Sequence, residues 1–273
     1  MVLTRTQLYV PANNERMINH AIHSNADIII FDLEDAVPDD KKDYARKYII
    51  DFLNSNRVNK KIGIRINSME TPYFYQDMYD IYGSNFKPDY IIVPKSEDGI
   101  NHIYKFLGIP LIALIETPSG VENANRIAAY DGVVMISYAA GDLSFSAGGN
   151  ISGYLSNVYV KTKIVLAARS AGIEAVDKVY FDLENSEGFR LEAVEAKSLG
   201  YSGKQVIHPS QIDIASEVFS PSRDEIEWAR SVIAEYGKSI KTGKGALRLN
   251  GELIDSVHIR MAKKILEAYE TIK

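Results

Sequence analysis

The chain has 273 residues, of which 46% are hydrophobic, and this is enough apolar material for one large core. Its 31 basic and 36 acidic residues give a formal net charge of -5, which excludes a broad cationic surface for nucleic acid or for an anionic membrane. Because cysteine is absent, disulfides, thiol nucleophiles and cysteine-ligated zinc are excluded as well.

The predicted elements alternate between short apolar strands and amphipathic helices. The chain enters strand-like sequence without an apolar signal region, and no apolar run approaches the roughly 20 residues that span a bilayer, so we expect a soluble, cytoplasmic protein. We predict eight strands, at Gln7–Val10, Asp27–Leu33, Ile62–Ile66, Tyr90–Val93, Leu111–Ile115, Gly132–Ser137, Ala175–Phe181 and Gln205–Ile207. Between and after them we predict helices at Asn13–Ser24, Lys41–Leu53, Thr71–Tyr82, Gly99–Leu107, Ser119–Tyr130, Asn157–Ala171, Ser186–Leu199 and Gln211–Phe219.

Strands that are apolar nearly throughout are typical of parallel sheets covered by helices. Eight strand–helix units favour a closed (β/α)₈ TIM barrel, which is an α/β fold, over an open doubly wound sheet. The absence of Gly-x-Gly-x-x-Gly after the first strand also argues against a dinucleotide-binding opening. We therefore expect residues 1–220 to form a single barrel domain.

The remaining residues, 221–273, are predicted to form a helical C-terminal extension outside the barrel. Its elements are a helix at Glu225–Tyr236 with Ser222 as N-cap, a flexible connector at Lys238–Gly245, a turn or hairpin at Leu247–Glu252, and a last helix at Asp255–Ile272. A flexible connector permits exchange between copies, so we expect the extension to contact a neighbouring subunit.

Polar or ionisable side chains follow almost every predicted strand. In a parallel barrel the C-terminal ends of all strands face one way, and active sites form there. The strand-end residues are Asp32, Glu34, Asp35, Arg65, Lys95, Glu116, Asp142, Asp182 and His208. A single one of them can simply mark where polar sequence resumes, but the whole set predicts a charged rim.

Two of these acids, Glu116 and Asp142, close apolar runs. A carboxylate at a buried strand end is costly unless a cation or hydrogen-bond donors compensate it. Two such ends on neighbouring strands would converge, and carboxylate oxygens are the ligands that Mg²⁺ prefers. The sequence therefore predicts a magnesium site with Glu116 and Asp142 as ligands.

The basic residues near the rim allow two interpretations. The guanidinium of Arg65 suits bidentate binding of a substrate carboxylate, and it could equally form a structural ion pair with Asp32, Glu34 and Asp35. We favour a supporting role for those three acids. The basic residues of the first two loop-to-helix segments could bind phosphates or form a solvated helix face, and they are Arg16, Lys41, Lys42 and Arg46.

Several segments together resemble the citrate lyase β-subunit family, which includes the malyl-CoA and citramalyl-CoA lyases. They run in order along almost the whole chain: Leu8-Tyr9-Val10-Pro11, Phe31-Asp32-Leu33-Glu34-Asp35-Ala36-Val37, Lys42-x-x-Ala45-Arg46, Arg65-Ile66-Asn67, Pro94-Lys95, Ile115-Glu116-Thr117-Pro118-x-Gly120, Asp142-Leu143 and Gly203-Lys204-x-x-Ile207-His208-Pro209-x-Gln211. The second and last of these are highly specific. The chain is thus identified as a member of this family.

The resemblance implies a Mg²⁺-dependent lyase that cleaves or forms the carbon–carbon bond between an acetyl thioester and a 2-oxo acid. Glu116 and Asp142 align with the metal ligands, and Arg65 with the residue that holds the oxo acid. The residues that align with contacts to the CoA thioester are Tyr9, Arg16, Lys41, Arg46, Ile207 and His208.

The C-terminal extension carries a second part of the resemblance. The segment Asn250-Gly251-Glu252-Leu253-Ile254-Asp255-x-x-His258 is similar to one that inserts a catalytic aspartate into the neighbouring subunit, which makes Asp255 the expected acid/base and a homotrimer or hexamer the expected assembly. Two positions depart from the family pattern. His20 stands where a lysine is usual for phosphate contacts, and Gly141 replaces a glutamate often found before the metal-binding aspartate.

Other functions remain open at this point. The chain could be the β subunit of a citrate lyase complex, acting on a citryl thioester of an acyl carrier protein. A metal-dependent pyruvate aldolase is a further possibility, which the thioester-contact segments argue against. From a different class, it could be a catalytically silent protein that binds CoA or an organic acid.

Overall fold

The computed structural model describes residues 4–241, 247–249 and 252–272. The chain divides into two compact units, with the boundary between Ser216 and Glu217. The first is called the barrel unit here and the second the C-terminal unit. In the part of the chain that is described, every helix is too short or too polar to cross a membrane.

The barrel unit is a closed barrel of eight parallel strands, which confirms the predicted fold class. The strands are β1 Thr6–Pro11, β2 Ile28–Asp32, β3 Lys61–Arg65, β4 Tyr90–Val93, β5 Leu111–Ile115, β6 Val133–Tyr138, β7 Glu174–Asp177 and β8 Gly203–Val206. Each pairs in parallel with its successor, and β8 closes the barrel on β1, with Leu8 opposite Val206.

Helices follow the strands along the chain. They are α1 Glu15–Ala21, α2 Lys42–Ser55, α3 Tyr73–Gly83, α4 Asn101–Leu107, α5 Pro118–Glu122, α6 Ala124–Ala128, α7 Ala140–Ser146, α8 Ile151–Leu155, α9 Val158–Ala171, α10 Ser186–Leu199 and α11 Ile212–Phe219. The predicted helix at 119–130 is in fact the pair α5 and α6. The helices α7 and α8 were not predicted.

Alternate residues of several strands fill one apolar cluster. Its buried members are Ile28, Ile30, Tyr90, Ile92, Ile112, Leu114, Met135 and Val176. The intervening residues of β2 and β5 are buried too, because helices cover the other face of the sheet. This two-sided burial is why the strands are apolar throughout, and it leaves their polar ends as the place for chemistry.

The strand predicted at Ala175–Phe181 is shorter than expected. The strand β7 ends at Asp177, and residues 178–185 form a loop before α10. The carbonyl of Lys178 accepts a hydrogen bond from the Lys204 ammonium at 2.9 Å, and the carbonyl of Tyr180 accepts one from the Gln211 amide at 2.9 Å. The backbone carbonyls of this segment therefore bond to side chains, whereas those of a strand would bond to the backbone of a neighbouring strand.

The C-terminal unit contains α12 Arg223–Lys241, the antiparallel hairpin of β9 Leu247–Leu249 and β10 Glu252–Ile254, and α13 Ser256–Ile272. Its core is formed by Ala229, Val232, Ile254, Ile259 and Ala262. The hydroxyl of Ser222 accepts a hydrogen bond from the Glu225 amide at 3.1 Å, and the Glu225 carboxylate accepts one from the Ser222 amide at 2.7 Å. This capping box confirms the predicted N-cap.

The predicted connector at Lys238–Gly245 is wrong in its first part. The helix α12 continues through Lys241, because the amphipathic pattern of the preceding turns extends into these residues. Residues 242–246 lie outside the described residues.

Candidate active site

A cavity of about 400 Å³ opens at the C-terminal ends of the barrel strands. Its lining comes from seven of the strand ends or the segments that follow them: Tyr9, Val10, Pro11, Met17, Asp32, Asp35, Ala36, Arg65, Leu114, Ala139, Ala140, Gly141, Asp142, Val179, Phe181, Gln205 and Ile207. Four predicted rim residues, Asp32, Asp35, Arg65 and Asp142, thus meet in one cavity, which we call the rim cavity.

The side chain of Arg65 is only 9% exposed and is surrounded by carboxyl groups. Its Nε donates to Oδ1 of Asp32 at 2.7 Å and its Nη2 to Oδ2 at 2.5 Å, which is the bidentate geometry that a guanidinium favours. The Nη1 atom lies 3.1 Å from Oε2 of Glu34 and 3.1 Å from Oδ2 of Asp35. The supporting role predicted for these acids is therefore seen directly.

The protonation of this cluster follows from burial. Burial lowers the pKa of Arg65, but Asp32 and Glu34 outweigh it, so the pKa lies well above its ordinary value. Burial raises the pKa of Glu34 to about 9, against the opposing effect of Arg65. Burial therefore disfavours the ionised form of Glu34, while Arg65 keeps its fixed charge.

Glu116 follows β5 directly and is 1% exposed. Its Oε2 accepts a hydrogen bond from the backbone N–H of Lys95 at 3.0 Å, whereas its Oε1 is buried without a hydrogen-bond partner among the described residues. Burial raises the pKa of Glu116 to about 8; Arg65 opposes this shift and the Asp142 charge adds to it. Glu116 therefore has one oxygen left for a ligand.

Lys95, which donates to Glu116, has a left-handed backbone with φ of 45°. Within the described ranges it is the one residue other than glycine with positive φ, a conformation that costs about 1–3 kcal/mol for such a residue. In this backbone conformation the N–H of Lys95 points at the Glu116 carboxylate. Lys95 was predicted to contribute its side chain to the rim, whereas its contact with Glu116 is made by the backbone N–H.

The prediction that Asp142 closes a buried strand is wrong. The strand β6 ends at Tyr138, and the small residues that follow carry the chain into α7, so that Asp142 lies exposed in the first turn of this helix. It still lines the rim cavity with Arg65. A Cβ added at the neighbouring Gly141 would contact only Cδ1 of Ile151, at 3.8 Å, so this position has room for a Cβ.

The acidic groups around this cavity fit a divalent cation. The charges of Asp142 and Asp35 act on Glu116, and Asp32, Glu34 and Asp35 pair with Arg65. Asp32, Asp35 and Asp142 line the rim cavity, whereas Glu116 is buried outside that lining. The described residues contain no group of three or more His, Asp or Glu side chains arranged to hold a metal. Mg²⁺ is usually bound by one or two protein carboxylates, and substrate and water supply its other ligands, so two carboxylates are sufficient here.

A second cavity of about 360 Å³ adjoins the first and is called the β1 cavity here. It is lined by Leu8, Tyr9, Val10, Asn14, Arg16, Met17, His20, Ala21, Ile207, His208 and Pro209. Four of the predicted thioester contacts, Tyr9, Arg16, Ile207 and His208, thus lie together. Tyr9, Val10, Met17 and Ile207 line both cavities, so the two cavities are neighbours that share these residues.

The structure does not bring Lys41 and Arg46 to either cavity. Lys41 is exposed at the start of α2. Arg46 is 4% exposed, and its guanidinium pairs with Asp43, with Asp77 at 3.1 Å and with Asp80 at 2.7 Å. Three carboxylates therefore already occupy its donors. The predicted strand-end Asp182 is likewise exposed in the loop after β7 and accepts from the Glu184 amide.

A buried lysine network supports one wall of the rim cavity and was not predicted. Nζ of Lys204 donates to Asp177 at 2.5 Å and to Glu192 at 2.7 Å, besides the Lys178 carbonyl. Nζ of Lys178 lies 2.7 Å from the other Glu192 oxygen. The network anchors the loop from which Val179 and Phe181 reach the cavity. In the sequence, the one sign of this network was Lys178, which lies inside a predicted apolar strand.

Asp255 lies in the C-terminal unit, immediately before α13. Its carboxylate accepts from the Val257 amide at 2.8 Å and lies 2.8 Å from Nδ1 of His258. The side chain is 53% exposed, and the hydrogen bond with His258 lowers its pKa. It is thus ionised at neutral pH and open to a partner. Asn250 and Gly251 of the same motif lie outside the described residues.

Comparison with known proteins agrees with this geometry. A family model described as HpcH/HpaI aldolase/citrate lyase matches residues 5–209. The chain belongs to this family. A (3S)-malyl-CoA thioesterase of Cereibacter sphaeroides is 34% identical over 98% of this chain and 95% of its own length.

Two further relatives extend the comparison within the HpcH/HpaI aldolase/citrate lyase family. An L-malyl-CoA/beta-methylmalyl-CoA lyase of Rhodobacter capsulatus is 33% identical over 99% of this chain and 96% of its own length. The CitE protein of Mycobacterium tuberculosis, solved in complex with magnesium, acetoacetate and coenzyme A, superposes with a TM-score of 0.82 at 30% identity, covering 97% of both chains. The match therefore includes the C-terminal unit as well as the barrel.

Proposed function

We propose that this chain is a Mg²⁺-dependent carbon–carbon lyase. It cleaves a 3-hydroxyacyl-CoA thioester such as malyl-CoA, citramalyl-CoA or citryl-CoA into acetyl-CoA and a 2-oxo acid, or forms it in the reverse direction. The observation that carries the proposal is that two neighbouring cavities share Tyr9 and Ile207: one is lined by Asp32, Asp35, Asp142 and Arg65, and the other by four of the six predicted thioester-contact residues. The magnesium and coenzyme A of the M. tuberculosis relative support it.

Glu116 and Asp142 are the residues that would hold the metal. When bound, Mg²⁺ supplies a Lewis acid for the carboxylate and 2-oxygen of the oxo acid. Arg65, fixed by its two hydrogen bonds to Asp32, adds a positive charge where negative charge develops on that oxygen. Because Asp32 fixes the guanidinium before substrate binds, little reorganisation is needed during the reaction.

Cleavage breaks the bond between the carbinol carbon and the acetyl methylene. The hydroxyl gives its proton to solvent, the 2-oxo group forms, and the electron pair of the broken bond passes to the acetyl thioester, whose methylene carbon takes a proton from the protonated form of an acid to give acetyl-CoA. We assign that proton transfer to Asp255, acting in the site of a neighbouring copy within a homotrimer or hexamer. Its exposure leaves it open to a partner, and because it is ionised at neutral pH it can accept a proton in the synthetic direction.

The test is release of acetyl-CoA from malyl-, citramalyl- and citryl-CoA, measured by mass spectrometry with Mg²⁺ and with EDTA. At least one thioester should be cleaved, EDTA should abolish cleavage, and Glu116→Ala should do the same. Glu122→Ala, which removes an exposed carboxylate on α5, is the control and should retain activity. Turnover that survives both EDTA and Glu116→Ala would refute the metal assignment.

The same panel separates the alternatives. A citrate lyase β subunit would cleave only citryl linked to an acyl carrier protein, and would be inactive on free CoA thioesters. A silent binding protein would bind CoA or an oxo acid without turning over any member of the panel.

A further inference from the structure

The hydroxyl of Tyr9 is buried and has no hydrogen-bond partner among the described residues. Leaving a buried polar group unpaired costs about 1–3 kcal/mol, and native structures keep few such groups. The ring lies over the Arg65 guanidinium, with 5.4 Å between its centroid and Cζ. This contact fixes the ring without using the hydroxyl, which therefore remains available to a ligand.

Tyr9 lies where the two cavities meet, because it lines both of them. The charged groups that influence it electrostatically are Arg65, Asp32, Glu116 and Glu34, which places it beside the proposed chemical centre. Oε1 of Glu116 also has no hydrogen-bond partner. Tyr9 and Glu116 thus each keep one polar atom without a partner among the described residues, and these two atoms do not bond to each other.

The hydroxyl acts as a donor at neutral pH. Burial raises the pKa of Tyr9 above its ordinary value; Arg65 opposes the shift, and Asp32, Glu116 and Glu34 add to it. The group therefore keeps its proton and cannot serve as a base near pH 7.

In the proposed reaction the acetyl thioester lies at the junction of the cavities, since the CoA moiety belongs to one and the oxo acid to the other. Its carbonyl oxygen gains negative charge as the carbon–carbon bond breaks and loses it again when the acetyl carbon is protonated. In this proposal Arg65 and the metal held by Glu116 and Asp142 stabilise charge on the 2-oxygen of the oxo acid. The thioester oxygen needs a donor of its own.

We propose that Tyr9 is a catalytic residue whose hydroxyl donates a hydrogen bond to the thioester oxygen at the junction of the rim cavity and the β1 cavity. This inference rests on the proposed lyase function. It goes beyond a general contact with the CoA thioester, because it gives the hydroxyl a role in the transition state.

The test compares Tyr9→Phe with Tyr138→Phe. Tyr138 is a matched control because its hydroxyl is also buried without a hydrogen-bond partner, yet it lines neither cavity. Neither change removes an internal hydrogen bond, so both variants should unfold at the wild-type temperature or slightly above it. Thermal unfolding thus provides a check that does not depend on activity.

For Tyr9→Phe, kcat for cleavage should fall about 100-fold, the scale seen when one donor to a developing oxyanion is removed. The KM for the thioester, and the affinity for the free oxo acid by calorimetry with Mg²⁺, should stay within about twofold. Tyr138→Phe should match the wild type throughout.

Three results would overturn the role of Tyr9: an unchanged kcat in Tyr9→Phe, an equal loss in Tyr138→Phe, or a loss explained entirely by weaker oxo-acid binding. Absence of turnover in the wild type would instead refute the lyase proposal, and this role with it.

Discussion

Replacing Glu116 by glutamine should stabilise the metal-free protein and remove its response to Mg²⁺. The carboxyl is 1% exposed, and burial raises its pKa to about 8 from 4.5. Below pH 4.5 the folded and unfolded states both hold the proton, and no penalty arises. As pH rises the unfolded state ionises first, so the stability contributed by this residue falls and levels off above about pH 8.

The penalty can be worked out from these values. At pH 7 the unfolded carboxyl is about 2.5 pH units above its pKa while the folded one is still protonated, and at 1.36 kcal/mol per unit this is about 3 kcal/mol. Glutamine has nearly the same shape and does not ionise. The metal-free variant should therefore gain about 3 kcal/mol at pH 7, or roughly 6 °C in unfolding temperature for a chain of this size.

Mg²⁺ should reverse this order. At a concentration about 1,000 times its Kd a bound ion adds about 4.1 kcal/mol to the wild type, and nothing to the variant through this site. The assay is thermal unfolding of EDTA-treated and Mg²⁺-loaded protein between pH 5 and 9, with Glu122→Gln as the control that changes neither value. A less stable metal-free variant, or a Mg²⁺ shift that persists in it, would refute the reasoning.

Three further predictions concern neighbouring parts of the molecule. Arg65→Lys keeps the charge but cannot form two parallel bonds to Asp32, so kcat/KM for cleavage should fall about 100-fold, and wild-type kinetics would count against its proposed role. Lys204→Met leaves Asp177 without its buried cation and Glu192 with Lys178 alone, so the free energy of unfolding in urea should fall by about 3–5 kcal/mol; an unchanged midpoint would contradict the network. Gly141→Ala should raise the free energy of unfolding in urea by up to about 1 kcal/mol and leave cleavage intact, since the new Cβ meets open space; a lower free energy of unfolding would contradict this.

The barrel and part of its site were predictable because each depends on a local pattern. Strands that are apolar nearly throughout, each followed by an amphipathic helix, led to the closed barrel, and the bounds of β4, β5 and α10 were predicted to the residue. Arg65 and Glu116 lie directly at strand ends, so their positions followed from the strand boundaries.

Other features depend on contacts between distant segments, which a single sequence does not display. Asp142 was predicted at a strand end, but the small residues before it extend the chain into α7. Lysine is mostly exposed in proteins, so the burial of Lys204 could not be inferred without its partner Glu192, twelve residues earlier on α10. Arg46 was predicted to bind the thioester, and only the fold shows its three acidic partners.

The central claim is that Glu116 and Asp142 share one divalent cation beside Arg65. The most direct measurement is anomalous diffraction from crystals soaked in Mn²⁺, used as a substitute for Mg²⁺. We expect one peak in the rim cavity, roughly 2.0–2.3 Å from a carboxylate oxygen of each residue. A peak bound to only one of them, or an ion elsewhere with this cavity empty, would contradict the claim.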